Sequence, residues 1–173
     1  MTNPVTKKSG MCIPCSVRQA GDKGLGVFAE AAVSKGTTVW RHVPGNFRVL
    51  DENALTGLLK QGTREEAVDL LIHIVSMEEF PGYMVQFFDE GALLNHSEQP
   101  NVTRKQGNDE YLVPTVTSVA EVTDALMDSR FDLVTLCDLA AGDELLMDYN
   151  AEPDDPAYFE EACIEYGVDW DWL

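Results

Sequence analysis

Hydrophobic positions along this chain follow two rhythms. Between Met11 and Val43 they fall in short pieces rich in β-branched and aromatic residues, CSVRQA, GLGVFAE and TTVWRHV, separated by the turn signals AGDKG and SKG. Such pieces predict three short strands. From Asp51 the spacing changes to three and four. Asp51 can cap a helix, Leu55, Leu58 and Leu59 share one face, and Gly62 can end it in a left-handed conformation, so a helix is predicted over 51–61. Thr63 and Glu66 have capping-box spacing, and Ala67, Leu70, Leu71, Ile74 and Val75 carry the stripe on to Pro81-Gly82, which predicts a second helix over 64–79. His73 lies off the centre of that stripe, four residues after Asp69, where a surface hydrogen bond is expected and no chemistry.

Beyond Tyr83 short β segments return near 83–88, 101–105, 111–118, 131–137 and 144–149, interrupted by a helical piece in VAEVTDALMDSR. The stretch from Pro156 to Tyr166 reads as helix, and the Ser/Thr/Lys-rich opening decapeptide as a loose arm. Many short strands with two helices inserted among them do not alternate as βαβ units, which disfavours a doubly wound nucleotide fold. The class is mixed and mainly β, α+β.

A chain of 173 residues with 45% apolar and 24% charged side chains can bury a core of its own, so one domain is expected and overall disorder is excluded. Twelve basic residues against 30 acidic give a net charge of −18, unevenly spread: residues 1–50 carry +5 and residues 51–173 carry −23. An acidic body of this kind repels nucleic acid and attracts basic peptides, although a solvated acidic surface accounts for the charge equally well. No apolar run approaches the roughly 18 residues of a membrane span, and no apolar stretch follows the polar start, so a soluble intracellular protein is expected, cytoplasmic or nuclear. Cys12, Cys15, Cys137 and Cys163 then read as reduced thiols. Cys12-Ile13-Pro14-Cys15 is half a zinc site without a second CxxC or HxxxH, so no metal is expected unless two chains share one.

Three segments carry candidate chemistry. Gly24-Leu25-Gly26 can let a ligand approach the backbone closely, yet taken alone is a tight turn. Asn95-His96-Ser97 with Pro100-Asn101 concentrates polar groups directly behind the apolar GALL, as a ligand site or a capped turn would. Gly142 to Asn150 reads as a turn feeding a strand that ends in a phenol, Tyr149, which a buried tyrosine with a partnered hydroxyl would also explain.

Taken together and in order, GDKGLGVFAEAAVSKGTTV, ALLNHSEQPNV and FDLVTLCDLAAGDELLMDYN closely resemble the motif series of SET-domain protein lysine methyltransferases. The resemblance runs from about Cys15 to Asn150, with residues 46–90 in the place of the family's variable helical insert. It implies several small β-sheets around a knot-like core, in which the segment ending at Tyr149 threads beneath a loop to meet the NHS segment. The corresponding domain reading is a flexible arm over 1–10, a SET domain over 11–150 and an acidic aromatic tail over 151–173 packed on it. The resemblance further implies S-adenosylmethionine as cofactor, gripped around Lys23, Gly24, Leu25 and Gly26 and by Asn95 and His96. Tyr149 matches the catalytic tyrosine, which orients the target amine and does not attack it, while Met147 and Val43 stand at positions that line the lysine channel. An in-line methyl transfer of this kind requires no metal.

The chain also departs from the family pattern. Relatives with a cysteine-rich tail bind zinc there through the residue after NHS, which is Glu98 here, and only Cys163 follows Tyr149. The tail instead offers Tyr158, Phe159, Tyr166, Trp170 and Trp172, which either stack on adenine and wall the channel or pack for stability. Residues 106–130 are longer than the matching hairpin, and their acidic stretch either guides a substrate or decorates the surface. The function expected is methylation of lysine in a basic protein segment, a histone tail being one such segment. The rivals are an inactive SET-like binding module and an enzyme acting on a small amine or on another side chain.

Overall fold

The structure is a computed structural model of the chain and describes residues 8–77, 79–105, 116–149 and 155–168. It divides into two compact units, one comprising Met1–Phe47, Phe88–Tyr111 and Leu126–Asp148, the other Arg48–Phe87, Leu112–Ala125 and Tyr149–Leu173.

The first unit is built from short strands. β1 (Cys15–Gln19) and β2 (Leu25–Ala29) form an antiparallel hairpin, with Gln19 opposite Leu25. Its turn places Gly21 and Gly24 at φ 63° and 83°, in the left-handed region that side chains with a Cβ resist. The other edge of β2 receives residues 142–145: Gly142 N donates to Ala29 O at 2.7 Å and Leu145 N to Val27 O at 2.8 Å. Val27 and Leu145 are fully buried, so the contact is apolar as well as hydrogen-bonded. β3 (Thr38–Trp40), β9 (Leu133–Thr135) and β8 (Val102–Arg104) make a second antiparallel sheet with β9 in the middle. β7 (Asn95–His96) and β10 (Leu146–Met147) pair in parallel, Leu146 opposite Asn95 and Met147 opposite His96.

A carboxylate joins remote parts of this unit. Asp89 accepts from Gly10 N at 2.6 Å, from Asn46 Nδ2 at 2.9 Å, from Trp40 Nε1 at 3.0 Å and from Gly91 N at 3.0 Å. Ser9 and Gly10, read from the sequence as part of the loose arm, are therefore held: Ser9 Oγ also donates to Glu90, and Gly10 O accepts from Arg41 N. Residues 1–7 lie outside the described residues.

The second unit joins β4 (Phe47–Leu50), β6 (Met84–Phe87) and β5 (Ile74–Ser76), with β6 central, to α1 (Glu52–Gln61), α2 (Arg64–Leu71), α3 (Val119–Leu126) and α4 (Ala157–Tyr166). Asp51 caps α1 by accepting from Ala54 N, and Thr63 and Glu66 form the reciprocal capping box of α2. Leu55, Leu59, Leu70 and Leu71 meet Phe159 and Cys163 of α4 in one apolar cluster. Among the described residues no helix is long and apolar enough to cross a membrane.

Several boundaries differ from the sequence reading. Gly62 ends α1 in an extended conformation, φ −87° and ψ 173°, and not in a left-handed one. The second helix stops at Leu71, because Ile74, Val75 and Ser76 pair with Gln86, Val85 and Met84. Their alternation of buried, exposed and buried positions is the strand period, and β-branched Ile and Val suit a pleated surface better than a last helical turn. The 46–90 insert accordingly holds a three-stranded sheet beside its helices, including the unforeseen β4. Strands expected over 131–137 and 144–149 contract to β9 and β10, a 3-10 turn occupying Ser129–Phe131. Most of the strand expected over 111–118 lies outside the described residues, and Val119 already begins α3.

Candidate functional site

The β1–β2 turn and the β7–β10 pair come together in the first unit. Ala20 N donates to Gly24 O at 2.8 Å, closing the turn, and Lys23 extends from it so that Nζ donates to His96 O at 2.7 Å. Leu25, with 51% of its surface exposed, opens β2, and its carbonyl accepts from Asn95 Nδ2 at 3.1 Å. Asn95 Nδ2 also donates to Glu144 Oε1 at 2.7 Å. Gly26 lies against this bridge: a Cβ there would stand 2.9 Å from Asn95 Nδ2 and from Ala20 Cβ, and closer still to Glu144 Oε1. Gly24 has nothing within 4 Å of the corresponding point. The six residues singled out around the glycine turn and the NHS segment thus form one connected group.

Asn101 secures the strand that reaches this group. Its Nδ2 donates to Glu144 O at 2.7 Å, its Oδ1 accepts from Leu146 N at 2.9 Å, and its own N donates to Leu146 O at 3.1 Å. One side chain thereby satisfies backbone groups that a two-residue strand leaves without a ladder. Ser97 N donates to Met147 O at 2.8 Å, extending the parallel pairing, and His96 Nδ1 stands 3.8 Å from Asp148 Oδ1.

Met147 is partly buried in register with His96. Val43 sits elsewhere along the unit, in a turn where its N donates to Asn46 Oδ1 at 3.0 Å and its O accepts from Asn46 N at 3.1 Å. Nearby, His42 is 7% exposed and packs edge-on against Trp40 and Phe47, with centroid distances of 4.6 and 4.8 Å. Burial, reinforced by the positive charge of Arg104, pushes its imidazole down to about 3. Tyr149 follows Asp148 directly; 40% of its surface is exposed, yet burial around the ring raises its phenol above the ordinary range.

The tail aromatics have structural partners in the second unit. Phe159 belongs to the apolar cluster, Tyr158 Oη donates to Gly82 O at 3.0 Å, and Tyr166 Oη donates to Leu59 O at 3.2 Å. Burial and then the charges of Asp51, Glu52 and Asp155 push Tyr158 up to about 12. Trp170 and Trp172 lie outside the described residues. Cys12 Sγ donates to Gly10 O at 3.3 Å, and Cys15 is raised by burial and by Glu90, Glu30 and Asp89. Among the described residues no group of three or more His, Cys, Asp or Glu side chains is placed to hold a metal ion.

Glu144 and Asp89 carry no expectation from the sequence, and Asn101 only its place in the polar cluster behind GALL. Glu144 and Asn101 stood inside recognised motifs, but their partners are 49 and 43 or more positions away, and no local pattern reveals such a pairing.

Solved structures similar to this chain include the Neurospora SET domain protein DIM-5, a histone lysine methyltransferase, at 15% identity with a TM-score of 0.49, and a candidate histone methyltransferase of Plasmodium falciparum at 16% with a TM-score of 0.46. The first likeness covers 86% of this chain and 56% of the Neurospora chain, so the sequence spans little more than half of that protein; the second covers 82% and 97%. No curated protein matches. The SET domain family model matches residues 24–150, well over half of the chain, and takes in both the glycine turn and the strand preceding Tyr149. With its several small sheets and the parallel meeting of the 95–97 and 146–147 segments, the chain belongs to the SET domain family and has its fold.

Proposed function

We propose that this chain is an S-adenosylmethionine-dependent protein lysine N-methyltransferase acting on basic, Lys- and Arg-rich protein segments, of which a histone tail is one. The observation that carries the reading is the convergence of residues 23–26, 95–96 and 144–148 through the Lys23–His96, Leu25–Asn95 and Asn95–Glu144 hydrogen bonds. These residues fit the donor. Gly24 leaves open space where a side chain would stand, and the two Asn95 amide hydrogens are committed, which leaves Oδ1 to accept from an ammonium group. Lys23, Gly24, Leu25, Gly26, Asn95 and His96 would hold the cofactor. When bound, it supplies a methyl group on a positively charged sulfur.

The remaining tasks fall to side chains of this protein. A free lysine has a pKa near ~10.4, so its ammonium must release a proton to solvent before the nitrogen can attack, and apolar surface from Met147, with Val43 at the position the family resemblance gives to a channel wall, would favour the neutral amine. Tyr149, a neutral phenol as tyrosine ordinarily is and raised further by burial, can hydrogen-bond the amine and align it without adding charge. The −23 carried by residues 51–173 would draw basic segments toward the enzyme.

Calorimetric titration with S-adenosylmethionine, followed by methyl transfer to mixed basic proteins with Tyr149→Phe as control, tests the reading. Binding with Tyr149-dependent transfer supports it. Binding without transfer to any substrate replaces it with a SET-like binding module, and no binding overturns the cofactor assignment.

A further inference from the structure

The Asn95 amide is held in one orientation by two groups that can only accept. Leu25 O lies 3.1 Å and Glu144 Oε1 2.7 Å from Nδ2, and flipping the amide would set its oxygen against a carbonyl and a carboxylate. Glu144 is itself fixed at its backbone, where its carbonyl accepts from Asn101 Nδ2, and Gly26 supplies the side-chain-free surface that lets the carboxylate reach Asn95. A charged acceptor at 2.7 Å is the stronger of the two restraints.

We propose that Glu144 is a positioning residue for the cofactor site: it never touches the cofactor, but holds the Asn95 amide so that Oδ1 is the atom presented to the ligand's ammonium group. The inference rests on the cofactor reading above. A carboxylate that merely stabilised β10 would affect folding alone, whereas a positioning carboxylate acts on affinity through Asn95 and only while Asn95 is present.

The test is a double-mutant cycle on the full chain, with Kd for S-adenosylmethionine and for S-adenosylhomocysteine measured by calorimetry and Tm measured in parallel. Glu144→Leu should weaken both ligands about tenfold or more, and Glu144→Gln, which keeps an acceptor oxygen, should stay within about threefold of wild type. In the Asn95→Ala background Glu144→Leu should produce no further loss of affinity while still lowering Tm. In the unliganded protein the Asn95 side-chain amide resonances should shift in Glu144→Leu and return toward their original positions in Glu144→Gln. Additive losses of affinity, failure of glutamine to restore binding, or Asn95 resonances indifferent to Glu144 would each overturn the proposal while leaving the cofactor reading intact. A wild-type protein that binds neither ligand removes the cofactor reading itself and this proposal with it.

Discussion

Trp40 donates its indole N–H to the Asp89 carboxylate, at 3.0 and 3.2 Å from the two oxygens, across 49 positions of sequence. The same carboxylate gathers Gly10, Asn46 and Gly91. A side chain with this many donors around it organises its neighbourhood more than any single apolar contact would, because each donor left unmatched in a partly buried place costs about 1–3 kcal/mol.

Asp89→Ala is therefore expected to destabilise the protein by about 3 kcal/mol or more in urea denaturation, since it takes the carboxylate acceptor from the indole N–H, from one N–H of the Asn46 amide and from two backbone N–H groups together. Asp89→Asn retains one acceptor oxygen and should cost clearly less. Equal losses in the two variants would mean that the hydrogen bonds are not the source of the effect.

Local chemistry is legible in the sequence in most places where cause and effect are neighbours, the extended Gly62 at the end of α1 being the exception. The Asp51 cap, the Thr63–Glu66 capping box and the turn between β1 and β2 each follow from residues within a few positions of one another. The helical stripe over 64–79 outruns α2 because Ile74 and Val75 satisfy a helical stripe and a strand alternation equally well, and only the partner strand β6 decides between them. The meeting of Asn95 with Leu146 was expected from family resemblance and not from periodicity, since two-residue strands carry none. Glu144 and Asp89 stayed silent for a related reason: nothing within a few residues of either names its partner.

His42 gives the fold a dependence on pH. Its ordinary value of 6.5 is lowered to about 3 by burial and by Arg104, so between those limits the unfolded chain binds a proton that the native state refuses. Stability should rise with pH across that window and fall as acid is added, by at most about 1.4 kcal/mol per pH unit from this group. Denaturant titrations of wild type and His42→Phe at pH 7.0, 6.0 and 5.0, mostly above the carboxylate range, check it. The variant should lose less stability than wild type on going from pH 7.0 to 5.0, and parallel curves would exclude His42 as the cause.

Two glycines should respond in opposite directions to alanine. Gly26→Ala drives a methyl group into Ala20, Asn95 and Glu144, so a loss of about 1–3 kcal/mol is expected together with weaker binding of S-adenosylmethionine. Gly57 lies inside α1 with nothing within 4 Å of the added Cβ, and Gly57→Ala should stabilise by roughly 0.5–1 kcal/mol through helix propensity. Thermal and urea unfolding of the two variants side by side distinguish close packing from backbone entropy.

The charge distribution makes a final prediction about substrate capture. Residues 51–173 hold −23, and attraction of a Lys- and Arg-rich peptide over such a surface acts largely through solvent. Raising ionic strength shortens the screening length from roughly 10 Å at 0.1 M toward 3 Å at 1 M, so KM for a basic peptide should climb steeply with salt while kcat, set by alignment inside the site, changes little. Sodium chloride titration of the steady-state constants separates the two. A KM independent of salt would mean that the acidic surface serves solubility and takes no part in drawing in the substrate.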